Sequence, residues 1–252
     1  MRVNVCGIGI DQYSFNEVID IIIHHALFSS KPEYVVTPNA HHIIMLQKDS
    51  AFREVYRNAF LSVPDGVPLL WAAKFLSSPL KSRVNGTDLF ERLCAIAAEK
   101  NLKVFLLGGR PGAAEKAKEI LQARHPALEV VGTYSPSYGF ESNLEELAQI
   151  NSKIQAAAPH ILFVGLGAPK QEKWTYLNYQ ELGIPVSLGI GVSFELVANM
   201  VKRAPIYMQK AGLEWVFRLV VEPRRLWQRY ILGNPQFIWL VLQQKLGLFS
   251  QK

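Results

Sequence analysis

The chain has 252 residues, 49% of them hydrophobic and 19% charged, a length that supports one large domain with an appendage and a balance too apolar for disorder and too charged for an integral membrane protein. The formal charge of +6 is unevenly placed: residues 202–252 carry nine Lys or Arg against two Glu, a net of +7, which leaves the remainder near neutral at −1. A basic segment on a neutral body points to an anionic partner, whether lipid, phosphate or nucleic acid. Cys6 and Cys94 fall in no metal-ligand spacing and read as reduced, buried thiols, and the N-terminus lacks the apolar stretch of a signal peptide, so a cytoplasmic location is expected.

In chain order, β-rich runs alternate with helical patterns. Val3–Ile8 reads as a strand, followed by a helix over Ser14–Phe28 that opens with the capping pair Ser14 and Glu17. Strands are expected at Tyr34–Thr37, Phe60–Val63, Lys103–Leu107, Leu128–Gly132, Ile161–Gly165 and Val186–Ile190, with helices at Asp88–Lys100, Pro111–His125, Asn143–Ala157 and Pro169–Leu182. This alternation predicts an α/β fold with a mostly parallel sheet and helices on both faces. The strands stop near Asn199. Three helical stretches, Ile206–Val221, Arg224–Leu232 and Pro235–Gly247, then mix aromatic with basic residues, so the expected division is a catalytic domain over 1–200 and a helical appendage over 201–252. Its longest apolar run, Phe237–Leu242, falls far below the roughly 20 residues that span a bilayer, and the appendage is expected to lie on a membrane surface without crossing it.

Ligands of open parallel sheets bind beyond the carboxyl ends of the strands. Three glycine-rich loops fall there: Gly108-Gly109-Arg110-Pro111-Gly112, Gly165-Leu166-Gly167-Ala168-Pro169-Lys170-Gln171 and Gly189-Ile190-Gly191-Val192-Ser193. Each leads into a helix, where backbone N–H groups suit a diphosphate, although tight turns demand glycine for their own reasons. The GxGxxG pattern lacks its third glycine, with Lys170 in that place, and there is no Walker loop, DxD or HExxH. The pairs His24-His25 and His41-His42 are adjacent on helices, an arrangement that does not aim two ligands at one metal. Arg83, Arg110 and Lys170 are then the cations available to a departing diphosphate. Thr37 and Asn39 follow one strand and Asp65 another; a carboxylate at Asp65 serves equally as a general base or as the cap of a following helix.

Taken together, Thr37-Pro38-Asn39, Pro64-Asp65-Gly66, Arg83-Val84-Asn85-Gly86-Thr87-Asp88, Gly108-Gly109, Gly165-Leu166-Gly167-Ala168-Pro169-Lys170-Gln171-Glu172, Arg203-Ala204-Pro205, Gly212-Leu213-Glu214-Trp215 and Glu222-Pro223-Arg224-Arg225 resemble the WecG/TagA/CpsF glycosyltransferase family, over roughly Val5 to Leu246. The resemblance implies a Rossmann-like, inverting, metal-independent transferase without a cofactor. It would move a sugar, N-acetylmannosamine as first choice, from UDP to an undecaprenyl-diphosphate-linked acceptor in the synthesis of a cell-surface polysaccharide or teichoic acid. It further implies Asp65 as catalytic base with Thr37 beside it, and Asn39, Arg83, Gln171, Gly108, Gly109, Arg110, Lys170, Gly191 and Glu195 as the UDP-sugar site. The tail would target the inner face of the membrane and bring Arg218, Arg225 and Arg229 to the acceptor diphosphate.

Two positions depart from the family pattern. Glu195 stands where Asp is usual and Asn199 where Gly is common, so the donor is left open to another UDP-sugar such as glucose or a uronic acid. A nicotinamide-dependent oxidoreductase is the alternative from another class, disfavoured by the missing third glycine. No nucleic-acid partner is expected, and a homo-oligomer is left open.

Overall fold

The computed structural model describes residues 1–249. In chain order the elements are β1 (Arg2–Val5), β2 (Ile8–Asp11), α1 (Phe15–Phe28), β3 (Glu33–Val36), α2 (Ala40–Lys48), α3 (Ser50–Asn58), β4 (Leu61–Ser62), α4 (Val67–Phe75) and α5 (Gly86–Lys100). Next come β5 (Lys103–Gly108), α6 (Ala113–Arg124), β6 (Glu129–Tyr134), a 3-10 turn (Phe140–Ser142), α7 (Leu144–Ala157), β7 (Ile161–Gly165), α8 (Lys170–Leu182), β8 (Val186–Gly189) and α9 (Ser193–Val197). The chain ends in α10 (Ile206–Lys210), α11 (Glu214–Val221), α12 (Pro223–Trp227), a π-helical turn (Gln228–Leu232) and α13 (Gly233–Lys245).

These elements form two compact units interleaved in sequence. One comprises Met1–Phe15, Thr37–Asn85 and the tail from Lys202; the other comprises Asn16–Val36 and Gly86–Val201. The tail from Lys202 thus shares its unit with two N-terminal segments.

The sheet unit, Asn16–Val36 with Gly86–Val201, carries five parallel strands in the order β3-β8-β7-β5-β6. The expected α/β class is therefore borne out. Alternation along β7 sorts its side chains between the two faces. Leu162 and Val164 join Phe105, Leu107, Ile150, Ile154, Trp174 and Leu182 in one buried cluster. Phe163, between them in sequence, meets Phe90 of α5 edge-on at 4.8 Å between ring centroids, and Phe90 meets Phe194 of α9 at 5.4 Å. Each such buried side chain contributes roughly 1.5–3 kcal/mol of burial free energy. Because the strands are parallel, the ends of β5, β7 and β8, which are Gly108, Gly165 and Gly189, lie at one edge of the sheet.

The tail unit begins differently from the single strand expected at Val3–Ile8. Residues 2–11 form an antiparallel hairpin, Val5 facing Ile8, that turns at Cys6 and Gly7 with φ of 48° and 83°. Two positive φ values make this the tight turn whose twist suits a hairpin, normally signalled by Asn-Gly; a cysteine in the first position hid it. The turn is held by Asn4 Oδ1, which accepts from Gly7 N at 2.8 Å. Sequence reasoning also passed over three nine-residue helices. Asn39 caps α2, Asp49 caps α3 by accepting from Phe52 N at 2.9 Å, and α4 is too uniformly apolar to show a polar face.

The tail helices break where the sequence pattern ran on, and run on where it broke. Gly212 (φ +71°) ends the expected Ile206–Val221 helix after Lys210, and a Cβ there would lie 3.0 Å from Val67 Cγ1. In contrast, Gly233-Asn234-Pro235 interrupts nothing. Gly233 is helical, and the wide turn over Gln228–Leu232 precedes Pro235, which sits in the first turn of α13, where a missing N–H costs little. Among the described residues no helix is long and apolar enough to cross a membrane.

Candidate active site

The tail unit contains a cleft lined by Asn39, His41, Asp65, Arg83 and Asn85, and by Glu214, Trp215, Arg218, Arg229, Tyr230 and Asn234 of the tail. The π-helical turn sets Arg229 and Tyr230 on this wall, with the guanidinium 5.5 Å from the Tyr230 ring centroid.

Asp65 is placed by its backbone. Its N–H donates to Pro38 O at 2.8 Å, and Val84 N donates to Pro64 O at 2.8 Å, so the Thr37–Asn39 and Arg83–Asn85 segments are tied on either side of it. Asn85 Nδ2 donates to Asp65 Oδ1 at 3.0 Å, and Arg203 Nη2 donates to Asn85 Oδ1 at 3.5 Å. The carboxylate is thus oriented, with Oδ2 the oxygen that Asn85 does not hold. Burial, reinforced by Glu214, pushes its pKa up to about 6 against the opposing pull of Arg83, Arg218 and Arg229. A carboxylate so tuned is largely ionised at neutral pH yet basic enough to take a proton in a reaction.

The walls carry excess positive charge. Arg83 Nη1 pairs with Glu214 Oε2 at 3.3 Å. Arg229 has a buried Nε without a hydrogen-bond partner, and its pKa is drawn down by burial and by nearby Arg218 and Arg225. A buried cation lacking full compensation is costly on its own and gains from an anionic ligand. His41 is held neutral, its pKa pushed down to about 4 by burial and by Arg229. His42 faces the core, its Nδ1 2.7 Å from Tyr56 Oη, so the pair diverges as adjacency in a helix requires. Among the described residues no three His, Cys, Asp or Glu side chains gather as metal ligands.

Of the other positions singled out in this unit, Asn39 lines the cleft while its Oδ1 accepts from His41 N (3.0 Å) and His42 N (3.1 Å) as the cap of α2. Thr37 is buried and outside the cleft lining. Arg218 and Arg229 line the cleft; Arg225 is exposed and paired with Glu222. Sequence reasoning missed Asn85, Arg203, His41 and Glu214 as site residues, although Asn85, Arg203 and Glu214 stand inside motifs it had quoted. What hid the roles of Asn85, Arg203 and Glu214 is that each acts on Asp65, or on a group that touches it, across 20 to 149 positions of chain.

In the sheet unit the three glycine-rich loops meet at one junction. Gly109 N donates to Gly165 O at 2.8 Å, and Ile190 N to Val164 O at 2.9 Å. Arg110 N donates to Glu195 Oε1 at 3.1 Å, and Gly191 N to Gln171 Oε1 at 3.1 Å. Those four loop amides are therefore already engaged with protein acceptors. Glycine is needed here for close approach: with φ at +108°, a Cβ on Gly108 would lie 2.6 Å from Gly165 O.

Gln171 is buried, and its Nε2 donates to Glu172 Oε1 at 2.7 Å, so it braces two loops. Burial lifts the pKa of Glu172 to about 7. Lys170 Nζ pairs with Glu141 Oε1 at 2.5 Å and lies 5.5 Å from the Phe140 ring centroid. Glu195 retains a buried Oε2 with no hydrogen-bond partner.

Residues 3–251 match the Glycosyl transferase WecG/TagA/CpsF family. The N-acetylglucosaminyldiphosphoundecaprenol N-acetyl-β-D-mannosaminyltransferase of Bacillus subtilis (strain 168) is 30% identical over 229 residues, covering 90% of this chain and 86% of its own length. The enzyme of the same name from Bacillus spizizenii is 30% identical over 87% of this chain and 82% of its own length, and that of Staphylococcus aureus (strain MRSA252) is 28% identical over 100% and 96%.

Proposed function

The chain belongs to the WecG/TagA/CpsF glycosyltransferase family, and on that footing we propose that it transfers N-acetylmannosamine from UDP to the sugar of N-acetylglucosaminyldiphosphoundecaprenol at the inner face of the cell membrane. The acceptor and the transferred sugar are those in the names of its relatives. The observation that carries the reading is the placement of an oriented carboxylate, Asp65, with Arg83, Arg218 and Arg229 around a single cleft.

An acceptor hydroxyl oxygen attacks the anomeric carbon of the donor while the bond from that carbon to the UDP oxygen breaks, with inversion. The hydroxyl proton passes to Asp65, which has the basicity for it. Phosphate charge is met by guanidinium groups, and in this reading no divalent ion takes part. The basic, aromatic tail holds the enzyme to the membrane surface.

UDP release from UDP-N-acetylmannosamine, measured with a short-chain, water-soluble analogue of the diphosphate-linked N-acetylglucosamine acceptor, tests this directly. Release that needs the acceptor and survives EDTA is expected. Release only with another UDP-sugar would reassign the donor, and an absolute need for Mg²⁺ would overturn the metal-free chemistry.

A further inference from the structure

The surface of the tail unit carries an apolar feature that the tail does not explain. On α4, Trp71 is 56% exposed and Phe75 49% exposed, and at i and i+4 they share one face of the helix. Both adjoin the tail. The turn at Gly212 packs against Trp71, a Cβ there lying 3.2 Å from Trp71 Cη2. Lys245 of α13 places its Nζ 5.6 Å from the Phe75 ring centroid and donates to Ser77 Oγ at 3.1 Å. Beyond Lys245, Leu246 and Leu248 are 68% exposed, and Trp239 on α13 is 59% exposed. The result is an exposed aromatic patch of Trp71 and Phe75, bordered by the tail at Gly212 and Lys245.

Charge selects the occupant. Lys74 and Lys245 are exposed at this patch, α4 contains no acid, and the tail around it has a net charge of +7. A second copy of the chain would bring the same positive charge to the contact, whereas an anionic lipid headgroup layer complements it. Trp with flanking Lys is also the side-chain set that partitions to the boundary between headgroups and acyl chains.

We propose that α4 is a bilayer-binding element in its own right, with Trp71 and Phe75 seated in an anionic membrane surface beside the tail. The inference rests on the membrane-facing transferase reading above and extends it to a helix of the body. Val67 and Pro68, the first residues of the same helix, line the cleft. Seating α4 on the bilayer therefore places the cleft where a polyprenyl diphosphate headgroup is found, so the acceptor need not leave the membrane plane.

The test uses the full chain, phosphatidylcholine vesicles with and without phosphatidylglycerol, and the double substitution Trp71→Ser with Phe75→Ser. Partitioning to the anionic vesicles should fall roughly tenfold or more, while UDP release with the short-chain soluble acceptor stays unchanged. Unchanged partitioning overturns the proposal, and loss of self-association with partitioning intact overturns it in favour of a second copy.

Trp71→Phe supplies a reading that does not depend on the double variant folding. With vesicles of brominated lipid, it should remove part of the quenchable tryptophan emission, and equal quenching in the two proteins overturns the proposal. The soluble-acceptor assay on the unsubstituted chain reports the transferase reading separately, so failure there with vesicle binding intact identifies which of the two is wrong.

Discussion

The cleft of the tail unit and the glycine junction of the sheet unit both follow from motifs of the same family, yet they handle their polar groups in opposite ways. At the junction, Gly109 N, Arg110 N and Gly191 N are spent on protein acceptors, and Gln171 is buried with both ends of its amide engaged. In the cleft, Arg229 keeps an unpartnered Nε and Asp65 is driven toward its protonated form by burial. A region that satisfies itself internally gains rigidity, and one that stores unmet electrostatics gains from a ligand. A conserved-looking motif therefore does not by itself say which of the two it builds.

Substitutions can break that contrast, and the largest effect belongs to the cleft. Asp65→Asn keeps the shape and the bond to Asn85 after an amide flip but removes the base. The turnover number for UDP release should fall by about 10³ or more, with UDP affinity and circular dichroism unchanged; a loss under tenfold would reject Asp65 as the proton acceptor.

At the junction the effect should fall on stability. Gly108→Ala sets a methyl group against Gly165 O and forces a left-handed φ on alanine, with an expected cost of about 3 kcal/mol and a drop in Tm of about 10 °C. Gly191→Ala has open space at the Cβ position and carries only the conformational cost of a φ of +59°, about 1 kcal/mol. Thermal melts of the two variants compare packing with backbone strain, and equal losses would refute the close-approach account of Gly108.

The smallest effect sharpens the electrostatics. The base works ionised, so kcat/KM should fall as pH drops through about 6, the raised pKa of Asp65. Glu214 is one cause of that rise and is also the partner of Arg83. Glu214→Gln removes a negative neighbour and releases a positive one, and both changes favour the carboxylate. The acid limb should then move to lower pH by a fraction of a pH unit to about one unit; movement to higher pH would show that Glu214 is not what loads Asp65.

Much of this molecule was legible before its structure. Alternation of β-rich and helical runs yielded the five strands of the sheet unit, because parallel strands buried on both faces need continuous apolar runs such as Ile161–Gly165. Asp65 and the tail arginines were visible as chemistry on strand ends and as charge. The hairpin at Cys6-Gly7 was not, since its positive φ falls on a residue that seldom adopts one, and neither was the break at Gly212, which is fixed by packing against Val67 and Trp71.

What the sequence determined alone is the alternation that makes the α/β class, the basic charge of the tail and the family motifs, because periodicity, charge and short spacings are local quantities. Tertiary structure decided that the tail shares a unit with Thr37–Asn85, that Asn85 and Glu214 converge on Asp65, and that the amides of Gly109, Arg110 and Gly191 are engaged by acceptors distant in sequence. Those outcomes depend on which groups reach one another across long separations in the chain, and hydrogen bonding and desolvation are settled only when they do.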